Sequence, residues 1–251
     1  MDLIRRFGIL VFVLVIALSI PFIFAAYPAN FIFNYLKPLD PNGIFSLRTI
    51  IHRIVQFILV IILLKLYFKK PYSELGFNLQ NIKLSKSIIT WIVIIWPILI
   101  VLLFFIAVHA IDGFRESLLS LFPPGTKKIY SLVGQDVLML NAFAEEPLYR
   151  SFVILALYKY RDNKIAIFNI KVSHAVIISS FIFMFAHISF TIFPFQITFI
   201  DPMQLAMTLC TGLILGIAFE RTRSLLAPVI LHSYINVIIS LTGYLTSILI
   251  R

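Results

Sequence analysis

Residues 88–111 read IITWIVIIWPILIVLLFFIAVHAI, a run without Asp, Glu, Lys or Arg. A helix needs ~20 mostly apolar residues to cross a hydrocarbon core ~30 Å thick. Ile88–Ile111 is therefore read as a membrane span, and it decides the class of the chain. Working outward, six further stretches follow the same pattern: Phe7–Ala26, Thr49–Phe68, Ser131–Tyr158, Val172–Phe193, Pro202–Phe219 and Leu225–Ile250. Gly243, with Ser240 and Thr242 beside it, would allow the last stretch to split in two. The expectation is an all-α, polytopic transmembrane helical bundle of seven to eight helices. The apolar runs are continuous rather than alternating, which argues against a β-barrel. Composition agrees: of 251 residues, 61% are hydrophobic and 13% charged, against roughly a quarter charged in a soluble domain. A water-soluble globule, a disordered chain, collagen and a coiled coil are excluded. The single cysteine, Cys210, excludes internal disulfides and Cys-rich metal sites, and is read as a packing residue.

The formal charge of +10 is read as topology rather than nucleic-acid binding. With the N-terminus inside, the inner segments carry Arg5, Arg6, Lys65, Lys69, Lys70, Lys83, Lys86, Lys159, Arg161, Lys164, Lys171, Arg221 and Arg223. The outer segments carry only Lys37, Arg48, Arg53, Arg115, Lys127 and Lys128. The bias favours a cytoplasmic N-terminus in an integral, multi-pass membrane protein that contacts membrane lipid. Arg5 and Arg6 before the first apolar run resemble a signal peptide, but the run exceeds a 7–15-residue h-region, so an uncleaved signal-anchor is expected. Outer loops near 27–48 and 112–130 contain Pro38, Pro41, Gly43, Pro123, Pro124 and Gly125. Tyr72–Ser87 is expected to lie along the inner membrane surface.

Ionisable groups inside spans are costly and are functional candidates by default. The fourth span holds the densest set: Gln135, Asp136, Asn141, Glu145, Glu146 and Arg150. Glu146 and Arg150 are four apart and can pair on one helix face. Glu145 has no such partner on its own helix and shares a face with Asn141 and Tyr149. Pro147 should bend the helix at the acidic pair. Phe183 and His187, and then His232 and Asn236, are further i, i+4 pairs on later spans. A carboxylate, an imidazole and a His/Asn donor patch together form a hydrolytic kit, able to take a proton from water and to stabilise an oxyanion. His52, His109 and His174 are read as hydrogen-bond donors near span ends, Asp136 as structural, and Trp91 and Trp96 as lipid-facing or core.

Glu145-Glu146-Pro147-Leu148-Tyr149-Arg150 fits EExxxR, Phe183 to His187 fits FxxxH, and His232 to Asn236 fits HxxxN, in that order. Arg221 to Pro228 leads into the last motif. The ordered triple, within about residues 131–240, resembles the CPBP family of intramembrane proteases. That family includes CaaX prenyl endopeptidases of the Ras-converting-enzyme type and bacterial Abi proteins linked to bacteriocin self-immunity. Ser151 and Arg223 stand where the family often has glycine.

The resemblance implies that Glu145 activates the attacking water with His187, that His232 and Asn236 stabilise the oxyanion, that Glu146 and Arg150 hold the site in shape, and that Phe183 packs. It divides one integrated membrane domain into N-terminal helices and loops, 1–130, and a CPBP-like catalytic helical core, 131–251. The expected function is an intramembrane endopeptidase acting on a peptide or prenylated protein substrate, with no nucleic acid partner. A metal-free glutamate mechanism without a cofactor is favoured. Zinc held by Glu145, His187 and His232 is the alternative, since no HExxH helix is present. Two other classes compete: a non-catalytic immunity or scaffold protein, and a small-solute transporter. The transporter ranks last because the polar sites lie in the C-terminal half alone.

Overall fold

In a computed structural model, residues 2–41, 46–158, 163–167, 170–191 and 196–251 are described. Lys159, Arg161, Gly43 and the expected span end at Phe193 lie outside these residues. Among the described residues, five helical stretches are long and apolar enough to cross a membrane: Ile4–Leu39, Leu47–Phe68, Ile82–Ala110, Pro202–Thr222 and Leu226–Leu249. The first runs past the expected end at Ala26. Helix α1 (Asp2–Ser19) passes through a π-helical segment (Ile20–Ala25) into α2 (Ala26–Leu36). Its sequence stays apolar, and Pro28 lies just after the π-helical segment. Pro21 sits in the π-helical turn, and its carbonyl accepts a hydrogen bond from His52 Nε2 at 2.8 Å.

Helix α3 (Leu47–Phe68) is followed by a one-turn segment, Tyr72–Leu75, and then α4 (Ile82–Ala110). The expected surface segment Tyr72–Ser87 is divided: Ile82–Ser87 belongs to α4, while residues 72–81 pack against the turn after α10. There the Gly76 carbonyl accepts from Leu225 N at 2.8 Å, and Asn78 and Asn81 donate to the carbonyls of Arg223 and Thr222 at 3.0 and 3.2 Å. Ser151 Oγ donates to the Leu75 carbonyl at 2.5 Å, which gives this departure from glycine an anchoring role. Arg223 has φ 56 and ends α10 in the left-handed region. That conformation accounts for a preference for glycine at the position. Its guanidinium instead lies 4.7 Å from the Tyr158 ring centroid.

After α5 (Phe114–Leu121), the expected single span Ser131–Tyr158 is interrupted twice. Met139, at φ 56, separates α6 (Lys128–Val137) from α7 (Leu140–Glu146). A π-helical segment, Pro147–Ile154, then leads into α8 (Leu155–Tyr158). Pro147 opens this π-helical segment. It starts a wider turn, a form often found at functional sites, and the Tyr149 carbonyl within that turn accepts from Ser179 Oγ at 2.8 Å. The antiparallel pair β1 (Lys164–Ile167) and β2 (Ile170–Ser173) precedes α9 (His174–Phe185). A second pair, β3 (Ser189–Thr191) and β4 (Gln196–Phe199), follows it. These short hairpins were not expected, but the bundle remains all-α in character. The Ser173 hydroxyl caps α9 by accepting from Val176 N.

α10 (Pro202–Thr222) packs on α9 through Gly212 and Gly216, whose spacing brings both to one face. A Cβ on Gly216 would stand 2.7 Å from Val176 Cγ1, and one on Gly212 would stand 3.1 Å from the Ser180 backbone. This is the small-xxx-small contact that lets membrane helices approach closely. Gly216→Ile is expected to cost about 1–3 kcal/mol through overpacking. The readout is the thermal midpoint in detergent, and Val176→Ala in the same chain should recover part of the loss. α11 (Leu226–Leu249) runs unbroken through Gly243, so the last apolar stretch is one helix rather than two. Cys210 is exposed on α10 and does not pack in the core as expected. Trp91 faces outward and Trp96 is buried.

Candidate active site

α7 delivers Glu145 and Glu146 side by side at its C-terminal end. Arg150, one turn further on, donates from Nε to Glu146 Oε2 at 2.8 Å, and both side chains are fully buried. The other oxygen of Glu146 lies 2.7 Å from His232 Nδ1 on α11. An ionised carboxylate only accepts, so Nδ1 carries the proton and the His232 ring is fixed in orientation. Glu146 is thereby the hub joining Arg150 to His232. Phe183 of α9 completes this layer: its ring lies 5.3 Å from Arg150 Cζ, 5.9 Å from the His232 ring and 4.8 Å from the His187 ring.

Glu145 points the other way, into a cavity of ≈ 340 Å³ bounded by α7, α3, the first π-helical turn, α2 and the end of α9. Tyr149 and His187 share its wall. His187 Nδ1 lies 2.8 Å from the Phe183 carbonyl. A carbonyl can only accept, so Nδ1–H donates and the other ring nitrogen, Nε2, keeps a lone pair. The cavity wall therefore holds a carboxylate and an imidazole, each equipped to receive a proton.

Sequence reading did not anticipate the partner of Glu145. Arg53 Nη1 lies 2.5 Å from Glu145 Oε1 and donates to Gln56 Oε1 at 3.2 Å, and Gln56 Nε2 reaches the Ala144 carbonyl at 3.1 Å. Counting Arg53 as an outer-loop charge missed this. The available signal was its place within an apolar run, between His52 and Gln56, where a polar cluster inside a span is itself informative. Of the outer cations, Arg53 is thus part of the site rather than of the loops.

The expected donor patch is assembled differently from the expectation. His232 Nε2 stands 3.8 Å from Glu145 Oε2, but the ring is almost wholly buried behind the two glutamates. Asn236 Nδ2 donates to Asp136 Oδ1 at 3.1 Å, the same oxygen that accepts from Asn141 Nδ2 at 2.7 Å. Glu145 and His187 therefore meet at the cavity, Glu146, Arg150, Phe183 and His232 form the layer behind it, and Asn236 lies beside that layer on Asp136. A zinc ion would need Glu145, His187 and His232 to converge. Among the described residues no group of three His, Cys, Asp or Glu is arranged to hold a metal ion, and one oxygen of Glu145 faces a guanidinium. These residues do not fit a zinc site as they stand.

Residues 129–238 match the Rce1-like family model, type II CAAX prenyl endopeptidase. The resemblance carried by the three motifs is borne out over this stretch, which contains every residue of EExxxR, FxxxH and HxxxN. Comparison with curated proteins and with solved structures returned no match. The family so described is one of proteases, and so hydrolases, that act on CAAX prenyl substrates, and residues 129–238 are similar to it. With five apolar helices of spanning length, this similarity points to an integral membrane protein.

Proposed function

We propose that the chain is an intramembrane endopeptidase in which Glu145 activates a water held in the cavity and delivers it to the carbonyl of a membrane-associated peptide. The supporting observation is the carboxylate of Glu145 facing the cavity that His187 also lines, within the Rce1-like stretch. His187, with Nδ1–H committed to Phe183, takes up a proton through Nε2. The tetrahedral oxyanion is stabilised by Asn236 and by His232 as an imidazolium, whose Nε2–H can donate while Nδ1–H stays on Glu146. An amide nitrogen has two N–H donors, so Asn236 keeps one for a substrate oxygen while Asp136 orients the group. Catalytic hydrogen bonds of this kind often tighten only when substrate is bound. Glu146 and Arg150 fix the His232 ring.

A second cavity of ≈ 240 Å³, lined by Phe22, Ala26, Tyr27, Asn30 and Phe190, shares Phe22, Ala26 and Asn30 with the first. Its mostly apolar wall suits a prenyl chain or another hydrocarbon beside the scissile bond. We assign seven crossings, in which the interrupted α6–α8 segment and α9 with its flanking strands supply the fourth and fifth, and a cytoplasmic N-terminus. This orientation puts the Arg48 end of α3, and with it the cavity, toward the outer side. A reporter fused after Lys70 should then register as cytoplasmic, and an outer signal there would reverse the assignment.

The metal-free mechanism is tested on purified protein in bilayers with prenylated and unprenylated peptides. Cleavage should persist at full rate after chelation, with no stoichiometric zinc by elemental analysis. Loss of activity on chelation with recovery on zinc would support the metalloenzyme reading.

A further inference from the structure

The active-site cavity carries more positive charge than water activation requires. Its titratable lining consists of Arg48, His52 and Arg53 from α3, Glu145 from α7, Tyr149 from the π-helical turn after it and His187 after α9. Two arginines therefore face a single carboxylate. Arg53 spends Nη1 on Glu145 and Gln56, while its Nε is buried without a hydrogen-bond partner. Arg48 donates from Nε to Asn30 Oδ1 at 2.7 Å on the opposite wall. The remaining lining is largely small or apolar, including Pro21, Phe22, Ala26 and Ala29. In such surroundings an excess cation favours an anionic ligand, because few other groups there can neutralise it. His52 cannot supply the missing negative charge, because an imidazole is neutral or cationic, and its Nε2–H is committed to the Pro21 carbonyl.

The contact between Arg53 and Glu145 also has a chemical cost. A carboxylate oxygen held at 2.5 Å by a guanidinium is a weaker base toward water than one that is free. Catalysis by Glu145 therefore gains if Arg53 is given another anion. A guanidinium binds carboxylates in a two-pronged fork. The unpartnered Nε of Arg53 and an adjacent Nη make one edge of such a fork. Exchanging one carboxylate partner for another keeps Arg53 paired, and the charge then left uncompensated on buried Glu145 makes it the stronger base toward water.

We propose that Arg53, assisted by Arg48, is the specificity-determining site for a carboxylate on the peptide substrate, and that its engagement draws Arg53 from Glu145 and releases that residue to act on water. The proposal rests on the peptidase reading of the same cavity. The carboxylate is either the peptide's free C-terminus or an acidic side chain near the scissile bond. Arg53 is a positioning and recognition residue, not the base itself.

The test uses the full chain in bilayers and matched membrane-tethered peptides in three forms: free C-terminus, C-terminal amide, and free C-terminus with the acidic residue replaced by its amide. The wild-type chain should lose about tenfold or more in kcat/KM on the one form that lacks the recognised carboxylate. The amide arm identifies the C-terminus as its source, and the neutralised side chain identifies the alternative. Arg53→Gln should bring the forms to within about twofold of one another, and Arg53→Lys should restore part of the preference. If Arg53→Gln fails to accumulate folded, Arg48→Gln should narrow the same ratio. Equal cleavage of all three forms by the wild-type chain overturns the proposal, as does undiminished discrimination in folded Arg53→Gln. If no peptide is cleaved by folded wild-type chain, the peptidase reading fails instead. Equilibrium binding of the same peptides then decides the anion site: a preference lost in Arg53→Gln supports it, and equal binding overturns it.

Discussion

Glu145→Gln is expected to lower kcat/KM by about 10²–10⁴ while leaving the folded bundle intact. The amide keeps the shape of the carboxylate, and its oxygen can still accept from Arg53 where Glu145 Oε1 does now. What disappears is the lone pair that takes the proton of water. The measurement is steady-state cleavage of a membrane-tethered peptide, normalised to folded protein by thermal midpoint and membrane abundance. A chain with normal abundance and wild-type turnover would mean that the cavity serves binding, as in a non-catalytic immunity or scaffold protein. His187→Ala should slow turnover as well, by less if Glu145 is the principal base.

Arg150→Ala is expected to act on stability before it acts on chemistry. Arg150 has no solvent exposure, pairs with Glu146 through Nε and lies against the Phe183 ring. Removing it leaves Glu146 buried with His232 as its remaining side-chain partner. Breaking one partner of a buried pair costs about 3–5 kcal/mol, because the other charge stays uncompensated. The result should be a large fall in thermal midpoint and in membrane abundance, with activity lost in proportion to folded protein. Arg150→Lys keeps the charge but loses the planar fork, and should fall between the two. The double variant Glu146→Gln/Arg150→Met removes both charges together and should recover part of the stability. It should not recover full turnover, since His232 would lose the carboxylate that holds its ring. A double variant no more stable than Arg150→Ala would remove the buried pair as the cause.

The charge pattern made much of this arrangement readable before any coordinates. In a chain with few charges, Glu145, Glu146 and Arg150 stand out within a span, and i, i+4 spacing correctly pairs Glu146 with Arg150. Spacing could not say that Glu146 also holds His232, because that contact joins α7 to α11 across 86 positions of sequence. Arg53 was missed for a related reason: near the start of an apolar helix, a cation reads equally well as an interfacial anchor. The long spans were legible from hydropathy, since a bilayer imposes length and apolarity together. The interruptions at Met139 and Pro147 were less so. Pro147 marks the place of a distortion without specifying a π-helical turn, and Met139 carries no local signal for a left-handed conformation. The packing of residues 72–81 depends on carbonyls at the turn after α10, which only tertiary structure brings near.

The most direct test of the central claim, that Glu145 drives water onto a peptide carbonyl, is single-turnover cleavage by the reconstituted chain in ¹⁸O-labelled water, read by mass spectrometry. Wild-type product should carry ¹⁸O in its new C-terminal carboxylate, and Glu145→Gln, at equal folded amount, should form no such product on the same timescale. Labelled product formed by Glu145→Gln at the wild-type rate, or no cleavage by the folded wild-type chain, would contradict this role of Glu145.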